Sequence, residues 1–81
     1  MKISVLIPAF NEKDTIKTII NQVEQQPEVK EIIVVDDGST DGTRDILQKI
    51  NCSKLRVVYH SHNQGKGQAI RTGGEKLTGE I

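Results

Sequence analysis

The chain has 81 residues, and 11 Lys plus Arg balance 11 Asp plus Glu, so its formal charge is zero at neutral pH. That length holds one small domain, or a portion of a larger one, and nothing more. The charge balance excludes a nucleic-acid partner gripped through its phosphates, and Phe10 and Tyr59 alone make no stacking platform for single strands.

The first predicted element is a strand, Ile3-Ser4-Val5-Leu6-Ile7, stopped by Pro8, which has no N–H to donate. Its longest apolar run, Val5 to Ile7, is far short of the ~20 residues of a membrane span. No charged leader with an apolar core precedes it. The expectation is a chain without a transmembrane segment, cytoplasmic in location. Ile16, Ile19, Ile20 and Val23 then repeat at helical spacing. Asn11 is the expected cap of this helix, with Glu12 and Asp14 suited to the positive end of its dipole, and Pro27 closes the block.

Ile32-Ile33-Val34-Val35 is apolar at every position, as strands buried on both faces of a parallel sheet are. A helix over 42–50 follows, with Ile46, Leu47 and Ile50 inward and Asp41 or Ser39 near its start. Cys52 has no second thiol to pair with and reads as an ordinary small residue. Leu55 to Tyr59 forms the third strand. His60 and His62 alternate onto one face, but two ligands without a third make a poor metal site, and a polar strand end is the better reading. The last helix spans about 66–77, with Ala69, Ile70, Gly73 and Leu77 on one side. Gly73 and Gly74 weaken it unless close packing requires them. Glu80-Ile81 looks like the start of a fourth strand.

A β-α-β-α-β-α order with short loops predicts an α/β fold: three layers, with a parallel doubly wound sheet. Ligands of such sheets sit at the carboxyl ends of the strands. Three loops fall there: 8–12, 36–42 and 60–67. Together they offer the carboxylates Glu12, Asp36 and Asp37, a Gly65-Lys66-Gly67 turn at a helix start, and the cations Lys66 and Arg71. A nucleotide needs this mixture, with acids accepting from base N–H and ribose hydroxyl groups and cations holding the diphosphate. A dinucleotide fingerprint does not fit, because Ile70 stands where its third glycine belongs.

Three ordered motifs, Ser4-Val5-Leu6-Ile7-Pro8-Ala9-Phe10-Asn11-Glu12, Glu31 through Thr43, and Asn63-Gln64-Gly65-Lys66-Gly67, resemble the opening of a family 2 glycosyltransferase. The likeness is greatest to the dolichyl-phosphate mannosyltransferase-like branch, and it spans nearly all of the chain. It implies a partial GT-A fold and a nucleotide-sugar donor, UDP- or GDP-linked, whose sugar passes to an acceptor. It also implies that Pro8, Phe10, Glu12, Val35 and Asp37 contact the nucleoside and that Lys66 and Arg71 lie near the diphosphate. Of the paired acids, Asp37 is the expected base contact and Asp36 the loop brace, since successive strand residues face opposite ways.

In such enzymes Mg²⁺ or Mn²⁺ is held by an Asp-x-Asp motif after the fourth strand, and the general base comes later still. Residues 1–81 therefore read as the donor-nucleotide portion of a glycosyltransferase domain. On this reading they hold no catalytic or metal-binding residue and are inactive alone. Self-association through an exposed sheet edge is a further expectation. A non-catalytic α/β module, a receiver-like signalling or protein-interaction domain, is the weaker alternative. Its acid pair would follow the first strand, where Pro8-Ala9-Phe10 stands.

Overall fold

A computed structural model describes residues 2–76. It contains β1 (Ile3–Ala9), α1 (Ile16–Glu24), β2 (Val29–Asp37), α2 (Thr43–Lys49), β3 (Leu55–His60) and α3 (Lys66–Gly74). The strands form one parallel sheet in the order β1-β2-β3. The α/β expectation holds, and the described residues agree with a partial GT-A fold. Leu77, given to the last helix, and Glu80-Ile81, given to a fourth strand, lie outside the described residues.

Strand alternation divides the core. Ile32 and Val34 of β2 face one side, where they pack with Ile16 and Ile20 of α1, Leu47 of α2 and the partly buried Val5, Ile7 and Val57. Ile33 and Val35 face the other, with Ala69 of α3, Leu6 and Val58. The all-apolar run of β2 is thus consumed on both faces, and its four residues are fully buried. Helices α1 and α2 share a face because two right-handed crossovers in the same direction must do so. With α3 on the opposite face over β2 and β1, the winding turns back.

Gly73 is needed where it stands. A Cβ there would lie 2.0 Å from Leu6 Cδ1 and 3.1 Å from Val35 Cγ2, so its absence lets α3 settle onto the sheet. Gly74 has open space around it. Ile70, expected on the inner side, is instead 47% exposed, because the close approach at Ala69 and Gly73 turns its flank outward.

Two local expectations fail for identifiable reasons. Pro8 does not stop β1, which continues through it to Ala9, with Pro8 opposite Val35. The Ile3 N–H donates to the Glu28 carbonyl, so counting alternately along β1 turns the nitrogen of residue 8 away from β2. A proline on that outer side loses no ladder bond. Asn11 does not cap α1, whose N-cap is Thr15 with no side-chain cap bond. It adopts a left-handed φ of 53° and turns its side chain to the following strand's loop instead.

Candidate functional site

Three loops leave the carboxyl ends of the strands, and cross-loop hydrogen bonds bind each to the next. Successive N–H groups of the first loop donate to side chains around the second: Asn11 to Ser39 Oγ (2.9 Å), Glu12 to Thr43 Oγ1 (2.9 Å) and Lys13 to Asp41 Oδ2 (3.2 Å). Asn11 Oδ1 returns the contact by accepting from the Thr40 N–H at 2.8 Å. Asp41 also accepts from the Thr43 N–H at the start of α2 (3.0 Å). Hydrogen bonding from the Thr43 hydroxyl, only partly opposed by burial, lowers the Asp41 pKa; the Thr43 and Lys13 N–H groups add to this.

The paired acids point to opposite faces of β2, as alternation requires. Asp36, fully buried on the α2 side, accepts from Arg44 Nε at 2.9 Å and from the Ser39 N–H at 3.4 Å. Arg44 also donates from Nη2 to the His60 carbonyl at 2.7 Å, and its guanidinium lies 5.0 Å from the Tyr59 ring centre. Asp36 is therefore a brace, as expected.

Asp37 faces the α3 side, and its oxygens also bind the third loop. Its Oδ1 accepts from the Gln64 N–H (2.8 Å) and lies 2.9 Å from His60 Nδ1, while Oδ2 accepts from the Gly65 N–H (3.0 Å). Burial pushes the Asp37 carboxyl pKa up. The His60 bond and the two backbone donors outweigh that and hold it below the ordinary value. A carboxylate accepts about four hydrogen bonds. Among the described residues three donors are used, two on Oδ1 and one on Oδ2, which leaves one acceptor position on Oδ2.

His60 is 8% exposed, and its Nε2 lies 3.0 Å from Thr72 Oγ1 on α3. The reading of it as a polar strand end missed this, because spacing along β3 says nothing of which helix covers the residue. Gly38 allows the second and third loops to touch. Its φ is +76°, and a Cβ would lie 2.5 Å from the Asn63 nitrogen and the His62 carbonyl carbon.

Between the first and third loops opens a cleft of about 360 Å³, lined by Pro8, Ala9, Phe10, Glu12, Asp37, Asn63, Gly65, Lys66 and Ala69. Five of the seven sequence-derived candidates, Pro8, Phe10, Glu12, Asp37 and Lys66, meet there. Val35 lies beneath, fully buried against Ala69, and Arg71, farther along α3, does not line the cleft. Phe10 is 44% exposed at the rim. Glu12 accepts from the Thr15 hydroxyl through Oε2 (3.1 Å), and Lys66 makes no ion pair among the described residues. One wall thus carries acceptors and the other a cation at the start of α3. Among the described residues no three His, Cys, Asp or Glu side chains converge to hold a metal, and Asp37 and His60 are engaged with each other.

Comparison with known proteins identifies the family. The sequence model of Glycosyl transferase family 2 matches residues 4–81. An uncharacterized glycosyltransferase of Nostoc sp. (strain PCC 7120) is 40% identical over 85 aligned positions, covering 100% of this chain and 26% of the relative. The putative teichuronic acid biosynthesis glycosyltransferase TuaG of Bacillus subtilis is 41% identical, covering 95% and 32%. The dolichyl-phosphate beta-glucosyltransferase of Saccharomyces cerevisiae is 36% identical, covering 88% and 25%. The chain therefore spans about a quarter to a third of the length of these relatives. The chain belongs to glycosyl transferase family 2.

Proposed function

From that membership we propose that this chain forms the donor-binding portion of a glycosyltransferase, taking a UDP- or GDP-linked sugar in the cleft beside Asp37 and Lys66. One observation carries the reading. A carboxylate with a spare acceptor position and an unpaired lysine at a helix start face a common cleft at the carboxyl ends of the strands. Uracil and guanine both present ring N–H donors, which the free Oδ2 position of Asp37 can accept. Phe10 supplies an apolar face for the base at the rim. The anionic diphosphate is drawn to Lys66 and to the first N–H groups of α3, where Gly67 leaves room for close approach. Any divalent cation would bind the diphosphate rather than these residues.

The test is titration of the whole protein, as naturally expressed, with UDP, GDP and CDP, with and without Mn²⁺. UDP or GDP is expected to bind and CDP, whose ring carries no N–H, is not; Lys66→Met should weaken the bound nucleotide by about tenfold, ~1.4 kcal/mol, the scale of one charge-assisted contact. Lys66 is the better probe because it takes no part in holding the loops. Failure of both UDP and GDP to bind refutes the reading.

A further inference from the structure

We propose that His60 is the positioning residue of the donor cleft, its imidazole wedged between Asp37 of β2 and Thr72 of α3 so that it aims the carboxylate and ties it to the helix bearing Lys66. This rests on the donor-binding reading above.

The hydrogen-bond partners assign the ring protons. Asp37 is ionised and can only accept, so His60 donates from Nδ1. In the neutral ring Nε2 is then the acceptor, and the Thr72 hydroxyl donates to it. Thr72 Oγ1 in turn accepts from Gln68 Nε2 at 3.4 Å. All the donors in this chain point one way, from the flank of α3 to the carboxylate. His60 and the Gln64 N–H together fill Oδ1, which leaves the remaining acceptor position on Oδ2 of a carboxylate that lines the cleft. Without the imidazole, Oδ1 loses one of its two donors, and the carboxylate is held by the Gln64 and Gly65 N–H groups alone, with its tie to α3 cut. Fixing a ligand-facing group through a neighbouring hydrogen bond is a general way of avoiding an ordering cost on binding. The titratable groups around Asp37 are His60 from β3, Lys66 from α3 and Glu12 across the cleft, with Asp36 and Arg44 on the opposite face of the sheet.

Two substitutions separate the ring's two ends. The amide of asparagine reaches the position of Nδ1, and that of glutamine the position of Nε2. In the whole protein, His60→Asn is expected to hold UDP or GDP affinity within about threefold, and His60→Gln and His60→Phe to weaken it about tenfold, the worth of one oriented hydrogen bond to a charge. The acid limb of affinity against pH should also move upward in His60→Gln and His60→Phe, since the carboxylate has lost a donor, and stay in place in His60→Asn. If the asparagine and glutamine variants weaken equally with no displacement of that limb, His60 only fills space and the inference falls. If all folded variants bind like wild type, it falls as well, while the donor-binding reading stands. If wild type binds no nucleotide, both fall. Should His60→Phe not fold, the asparagine–glutamine contrast decides alone.

Discussion

Asp36 and Asp37 show how far two adjacent identical letters diverge once a strand places them on opposite faces. Which one would meet the cleft was legible from alternation. That Asp37 would also staple the third loop was not, because its donors are backbone N–H groups 27 and 28 residues away. Asp37→Asn is therefore a blunt probe. In either amide orientation, its NH₂ faces a backbone N–H, of Gln64 or of Gly65, so about 1–3 kcal/mol of stability is lost along with ligand affinity. The lowered Asp37 pKa has a definite sign. Its stabilising contribution is complete above the ordinary carboxylate value and fades as pH falls through the lower folded value. Thermal midpoints measured from about pH 6 down to about pH 3 should decline on that acid limb. The decline should be visibly shallower in Asp37→Asn, and an unchanged limb would show that Asp37 is not the group responsible.

At the scale of elements, the periodic signals were sound and the boundaries were not. The stripe Ile16, Ile20 and Val23 packs inward as its spacing requires, although Ile19 stays at the surface. Pro8 and Asn11 were misread for the same reason: each was judged by its local preference, whereas a neighbour decides. An outer-edge position tolerates the missing N–H of Pro8. The bonds to Ser39 and Thr40 use Asn11 more fully than a helix start would. Gly38 is the element-level counterpart, since the second loop can lie against the third only if no side chain intervenes. Gly38→Ala adds both left-handed strain and a clash with main chain, which has no rotamer to yield. A loss of about 2 kcal/mol or more is expected, and nucleotide affinity should fall with it because Asn63 and Gly65 line the cleft. Equal stability and binding in that variant would mean that the loops shift apart freely.

On the scale of the whole molecule, the layered architecture was readable because an apolar run such as Ile32–Val35 has few homes other than a covered parallel sheet. The lateral position of α3 was not, since no sequence period records which way a crossover travels. Among the described residues β1 and β3 are both sheet edges, and Phe10, Ile19 and Ile70 expose apolar surface. Residues 1–81 expressed alone should therefore self-associate at tens of micromolar, roughly where open edges begin to pair. A single sharp monomer boundary in sedimentation velocity would contradict this. Pro8 limits how far any such pairing can run. A strand zipping onto the outer side of β1 finds a rung missing at residue 8, one step before Ala9 and Phe10. The proline thus acts as a doorstop: a new neighbour can join the sheet below it, but the cleft above it, between the first and third loops, stays ajar.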